Sequence, residues 1–170
     1  MLDQPELERI YDEHADGLYA FLLNLTRDEQ DTRDLLQEIF VRIARRPGIL
    51  ERARDERHFL LALAHNAAVD WMRRRETRQR YHEQYGGQLP AVFADSTDAD
   101  EKDFRSAVAR ALADLPPEQR AVVHLKLWEE MTFEQIAAIL EIPSNTAASR
   151  YRYGLDKLRE RLRPLYEEIK

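Results

Sequence analysis

The 170-residue chain contains no cysteine, which excludes disulfides, thiolate metal sites and thiol nucleophiles and leaves nothing that points to an oxidising compartment. Glycine and proline are sparse, at 5 and 7 residues, a profile that favours helix over sheet. No apolar run approaches the ~20 residues needed to span a bilayer. The N-terminal stretch Met1–Glu6 lacks the basic-then-apolar order of a secretion signal. A positive balance is missing too: the formal net charge is −6, which argues against indiscriminate coating of nucleic acid, since that needs a basic surface to displace counterions. These absences predict a soluble, cytoplasmic, all-α protein with no cofactor, no metal and no membrane insertion.

Hydrophobic residues make up 44% of the chain and charged residues 34%, enough for one ordinary domain or two small ones. The charge comes in blocks. The stretch before Val41 is acidic, Trp71 to Arg80 carries five arginines against one glutamate, Asp95 to Asp103 is acidic again, and the segment after Pro143 is net positive. Alternating blocks suggest more than one partner, some basic and some polyanionic.

Leu18, Phe21, Leu22 and Leu25 recur at helical spacing, as do Leu35, Leu36, Ile39, Phe40 and Ile43. They predict two amphipathic helices, the second opened by a Thr26/Glu29 capping box and stopped at Pro47-Gly48. A third helix is expected from about His58 to Tyr81, apolar first (Phe59, Leu60, Leu63) and then arginine-rich. Periodicity vanishes between Tyr85 and Lys102, where Gly86-Gly87, Pro90, Ser96-Thr97 and three aspartates predict a linker. Helical patterning resumes at Phe104, breaks at Pro116-Pro117 and continues through Ala121, Val122, Leu125 and Leu127. The expected architecture is two small helical bundles, 1–82 and 104–170, joined by a flexible acidic linker over 83–103.

Thr132 to Arg150 reads as a helix-turn-helix. Thr132 and Gln135 form a capping box, Ile136, Ala137 and Leu140 form one buried face, and Pro143-Ser144 ends the turn and caps the next helix. In that second helix Ala147, Tyr151, Leu155, Leu158 and Leu162 share a stripe, leaving Ser144, Asn145, Thr146, Ala148, Ser149, Arg150, Arg152 and Tyr153 for another partner. A helix that reads the major groove needs a narrow N-terminal half, polar tips for base edges and arginines for phosphates, and these residues supply all three. Glu141 stands where such turns usually carry glycine, so its backbone must take up the turn at some cost.

Asp34 and Glu38 are four residues apart, with Gln37 beside them, and make an acidic face opposite the apolar set. Further on, Phe59, Asn66, Trp71 and Arg73, Arg74 and Arg75 share one segment, the mixture of aromatics, amide and cations that holds single-stranded DNA. Three features then occur together and in order: the helix with Asp34, Gln37, Glu38 and Phe40; the segment with Leu63, Asn66, Asp70, Trp71 and the arginines; and the Leu115–Arg120 stretch that leads into the helix-turn-helix. From about Tyr11 to Leu162 the chain resembles the extracytoplasmic-function (ECF) group of sigma-70-type sigma factors.

The resemblance implies a non-enzymatic protein that binds bacterial core RNA polymerase and directs it to promoters. It implies that Asp34, Gln37 and Glu38 dock on the clamp helices of the largest subunit. Asn66, with Phe59 and Trp71 nearby, would help capture a flipped −10 base, and Arg73, Arg74 and Arg75 would meet backbone phosphates. Ser144, Asn145, Thr146, Ala148, Ser149, Arg150, Arg152 and Tyr153 would face the duplex −35 element. An anti-sigma factor is implied as a further partner, with Leu127 and Trp128 as exposed apolar positions that would serve it. Ala62 and Ala148 depart from the family pattern, where basic residues are common.

Two other classes compete. A helix-turn-helix regulator acting without polymerase requires a dimerisation element, and no sustained heptad supplies one. A metal-dependent hydrolase requires clustered ligands, whereas His14, His58, His65, His82 and His124 are scattered, without a His-Glu-x-x-His spacing.

Overall fold

The computed structural model describes residues 1–79 and 99–169. The chain divides into two compact units, Met1–Gln88 and Leu89–Lys170. Among the described residues every regular element is a helix.

Unit 1 holds α1 (Gln4–Thr26), α2 (Glu29–Arg45), the single turn α3 (Gly48–Glu51) and α4 (Glu56–Gln79). The Asp3 side chain accepts the Glu6 backbone N–H, satisfying one of the donors left over at the start of α1. Arg27 closes α1 in the left-handed region at φ 57°, its N–H donated to the Leu23 carbonyl. The start of α2 differs from the expected capping box. Asp28, not Thr26, is the cap, and its carboxylate accepts the Asp31 N–H at 2.8 Å. Thr26 is the last residue of α1, and its buried hydroxyl lies 2.7 Å from that of Thr32. Two cap-forming residues stand two positions apart, and the left-handed turn at Arg27 puts the second at the helix mouth.

Ile10, Phe21 and Leu22 of α1, Leu35, Ile39 and Ile43 of α2, and Leu60, Leu61 and Ala64 of α4 are buried together in this unit. Phe59 and Leu63, expected among the apolar positions of α4, are only half-buried. An electrostatic clamp joins the beginnings of α1 and α4. Arg9 donates to Glu56 at 2.9 and 3.2 Å, and His14 Nε2 lies 2.8 Å from the same carboxylate.

Unit 2 holds α5 (Ala99–Ala113), α6 (Pro117–Leu127), α7 (Phe133–Leu140) and α8 (Ser144–Ile169). Helix α5 starts at Ala99, so residues 99–103 of the expected linker are helical. The remainder of that linker, with Gly86-Gly87, Pro90 and the expected helix end at Tyr81, lies outside the described residues. Pro117 opens α6, where its missing N–H costs nothing. Leu112, Leu115, Val123 and Leu158 are buried in one cluster, with Val108, Tyr151, Leu155 and Leu162 packed against it. No described helix is long and apolar enough to cross a membrane.

Candidate nucleic-acid interface

Helices α7 and α8 form the expected helix-turn-helix. Both arms of the Thr132/Gln135 capping box are made, at 3.2 and 2.9 Å. Ile136, Ala137 and Leu140 are buried, as their spacing predicts. Glu141 takes up the turn in the left-handed region, at φ 54° and ψ 48°. The N–H groups of Glu141 and Ile142 both reach the Ala137 carbonyl, which closes the helix as a glycine would. The Pro143 carbonyl accepts the Ala147 N–H at 3.1 Å, so Ser144 is the first residue inside α8 rather than the residue before it.

The inward stripe of α8 is as expected, with Ala147 and Leu158 buried and Tyr151 held edge-on against Phe133 at 5.6 Å. Ser144, Asn145, Arg152 and Tyr153 are exposed; Thr146, Ala148, Ser149 and Arg150 are half-buried. The Arg152 guanidinium lies 5.1 Å from the centre of the Tyr153 ring, a cation and an aromatic side by side on the surface. Behind the recognition helix, Lys126 donates to the Met131 carbonyl at 3.1 Å and sits 4.6 Å from the Phe133 ring. This ties the end of α6 to the start of α7.

A residue missed from the sequence sets the depth of α8. A Cβ on Gly154 would stand 2.8 Å from Val123 Cγ2, closer than real contacts allow, so α8 seats on α6 only because this position has no side chain. A glycine inside a helical pattern was the available signal, since it weakens the helix unless packing requires it. At the turn between α6 and α7, Leu127 and Trp128 are exposed, and the Trp128 ring stacks on the buried His124 at 5.3 Å.

In unit 1, Asp34, Gln37 and Glu38 are exposed along one face of α2, and Gln30 donates to Asp34 at 3.0 Å. Next to Gln37 a mostly apolar groove of about 360 Å³ runs between α1 and α2, lined by Tyr11, Leu36, Phe40 and Val41 among others. The candidates on α4 fall into two groups. Phe59, Asn66 and Arg73 are seven residues apart and so share one stripe, about 21 Å long, with Asn66 and Arg73 exposed. Trp71 lies about 140° around the helix from Asn66 and is half-buried. Asp31 of α2, a residue the sequence reading gave no role, lines the same cleft as Trp71. Burial of that carboxylate pushes its pKa up, Asp28 adds to the effect, and Trp71 and Arg75 oppose it. Arg75 lies over Trp71, its guanidinium 5.0 Å from the centre of the ring.

One histidine-containing cluster, Glu13, His14 and Glu56, has the proximity of a metal site. The Arg9 guanidinium is already paired with it, 2.8 Å from Glu13 and 2.9 Å from Glu56, so the chain supplies its own cation to these carboxylates.

Residues 10–78 match the family model described as Sigma-70 region 2, and residues 111–160 match Sigma-70, region 4. The chain is 31% identical over 163 residues to the ECF RNA polymerase sigma factor SigL of Mycobacterium tuberculosis, covering 94% of this chain and 90% of that one. It is 28% identical over 166 residues to the ECF RNA polymerase sigma factor SigX of Bacillus subtilis, covering 94% and 85%. It is 31% identical over 168 residues to the RNA polymerase sigma factor CarQ of Myxococcus xanthus, covering 98% and 94%. The fold is similar to that of the sigma factor RpoE from Bartonella quintana, crystallised with the anti-sigma factor NepR, with a TM-score of 0.72, 21% identity and coverage of 94% and 96%. Both conserved sigma regions, and relatives matched almost end to end, therefore place this chain in the family of ECF RNA polymerase sigma factors.

Proposed function

We propose that the two units divide the work of an alternative sigma factor, which binds core RNA polymerase and directs it to promoters, as follows. Residues 1–82 act as sigma domain 2, residues 83–103 as the linker and residues 104–170 as sigma domain 4. Asp34, Gln37 and Glu38 dock on a basic surface of the polymerase, a role supported by their exposure along one face of α2. Phe59, Asn66 and Arg73 capture the unstacked −10 strand, with Trp71, Arg74 and Arg75 beside them. Ser144, Asn145, Thr146, Ala148, Ser149, Arg150, Arg152 and Tyr153 meet the −35 duplex. The protein acts in the cytoplasm and carries out no catalysis. An anti-sigma factor covers Leu127 and Trp128, whose exposure at the α6–α7 turn supports an apolar contact there.

The observation that carries this reading is the pairing, in one chain, of an exposed Asn66/Arg73 stripe with an exposed polar start to the recognition helix. Either surface alone fits many DNA-binding proteins. Together they require something to hold them on one promoter, and the polymerase is that scaffold.

Run-off transcription with purified core enzyme on a genomic library tests it. Promoter-specific product is expected only when the protein is added. In that assay Asn66→Ala should lower open-complex formation about tenfold or more, because a captured base is worth about 1–3 kcal/mol, while leaving assembly with core enzyme in place. Product that is independent of Asn66 and of Arg152 would overturn the assignment.

A further inference from the structure

The corner where α2 ends and α4 begins is basic. From Arg42 to Arg57 the chain carries six arginines and no lysine against three carboxylates. Two of those carboxylates are engaged by the chain itself: Asp55 accepts the His58 N–H at 2.9 Å at the start of α4, and Glu56 is taken up by Arg9 and His14. Arg45, Arg46, Arg52 and Arg54 are exposed, and among the described residues none of the four forms an ion pair. Elsewhere Arg9, Arg33, Arg105 and Arg159 each reach a carboxylate three or four residues away on their own helix. Arg45 suits the carbonyl end of α2, where a cation is favoured. A cation just ahead of a helix's first turn is disfavoured, so nothing local to α4 accounts for Arg54.

We infer that this corner is a further phosphate-binding surface, which holds the backbone of the captured strand beyond the Phe59 end of the α4 stripe. This rests on the reading of unit 1 as the strand-capturing unit. The backbone keeps the arginines together: Ile49, Leu50 and Ala53 each donate to the carbonyl three residues back, at 3.1, 3.2 and 3.0 Å. A chain wound in this way rises about 2 Å per residue, so the Arg46 and Arg52 backbones stand within about 12 Å of each other. Their long side chains then reach neighbouring phosphates of one strand. Arg54 lies five residues before Phe59, so the corner adjoins the first residue of the Phe59, Asn66 and Arg73 stripe, whose other end is about 21 Å away. A strand laid along that stripe leaves it at this corner. The residue type fits as well, because a guanidinium meets phosphate oxygens through paired N–H donors and keeps its charge. An acidic protein would also be drawn to the patch, but only a nucleic-acid strand gains from the stripe alongside.

The test uses the full chain in holoenzyme with core polymerase. The probes are fluorescein-labelled non-template oligonucleotides from a promoter that the wild-type holoenzyme transcribes: the −10 element alone, or the element lengthened by about six nucleotides on its upstream or its downstream side. The variant is the double substitution Arg52→Gln with Arg54→Gln, at two exposed positions. One of the two extensions should tighten wild-type binding about fivefold more than it tightens binding by the double variant. The other extension should show no such difference. On the responsive probe the double variant should flatten the slope of log affinity against log salt by about 1.4, two phosphates on a single strand. Arg52→Lys with Arg54→Lys keeps the charges and should keep the slope. Arg45→Gln with Arg46→Gln should act on the same extension, whereas Arg73→Gln should weaken all three probes alike. If the double variant keeps the wild-type ratio between extended and short probes, the inference is overturned. Equal dependence of both extensions on Arg52 and Arg54 would overturn it too, since the corner adjoins one end of the stripe only. So would a loss confined to assembly with core polymerase, which would mark the corner as a protein contact. Absence of any promoter-specific transcript from the wild-type holoenzyme would instead sink the sigma-factor reading itself.

Discussion

Two carboxylates in unit 1 respond to their surroundings in opposite directions. At Glu56 the hydrogen bond from Arg9 lowers the pKa below the ordinary glutamate value; burial opposes it, and His14 adds to it. A lowered value means that the native state holds its proton less readily than the unfolded chain. The stabilisation is therefore complete above the ordinary value of about 4.3 and drains away as pH falls through the lowered one. At Asp31 burial raises the pKa, so the native state keeps a proton that the unfolded chain releases. Stability then declines as pH rises from about 3.9 through the raised value, and the penalty is complete above it. Chemical denaturation between pH 3 and pH 7 separates the two. Asp31→Asn should gain stability over wild type at pH 7 and lose that gain at the acid end. Glu56→Gln should be less stable at pH 7, with the gap closing as pH falls. A gap that stays constant with pH in either variant would mean that the charge at that position is immaterial. Glu141 presents a backbone question instead. Its left-handed conformation costs a side-chain-bearing residue about 1–2 kcal/mol, and glycine forfeits about 0.5–1 kcal/mol of that gain through its looser unfolded chain. Glu141→Gly should thus stabilise unit 2 by about 0.5–1 kcal/mol, and Glu141→Val should destabilise it.

At the scale of elements, what the sequence disclosed depends on how local the cause was. The α7 capping box is written in Thr132 and Gln135 alone and was legible, as was the stripe from Ala147 to Leu162. The start of α2 was misread because Thr26 and Asp28 compete for one role, and a left-handed Arg27 decides between them. Trp71 was read with Asn66 because both lie on one helix. Which face meets α2 depends on the register of two helices, and no spacing within α4 reports it. Gly154 was silent for the same reason, since its partner Val123 is on another helix. That contact gives a test with a change of sign. Gly154→Ala gains about 1 kcal/mol of helix propensity but drives a methyl into Val123, an overpacking cost of about 1–3 kcal/mol. It should lower stability in the wild type and raise it by about 1 kcal/mol in a Val123→Ala background. A loss of equal size in both backgrounds would show that the two side chains do not collide.

At the scale of the molecule, each unit has its own buried cluster, and each contains one of the two tryptophans, Trp71 in the first and Trp128 in the second. A sigma factor that reads two separated elements gains from units that can be seated independently on the polymerase, and that asks for two cores rather than one. The charge also falls in blocks along the chain, acidic before Val41 and net positive after Pro143. Independence also predicts how the chain unfolds. In single-tryptophan variants, Trp128→Phe leaves the signal of unit 1 and Trp71→Phe that of unit 2. Ile43 is fully buried in unit 1, so Ile43→Ala should cost about 2–5 kcal/mol and move the urea midpoint reported by Trp71. The midpoint reported by Trp128 should not follow. Gly154→Ala should do the reverse. If both midpoints shift together in either variant, the units share one cooperative transition, and the proposed separation of docking and strand capture from duplex reading loses its structural basis.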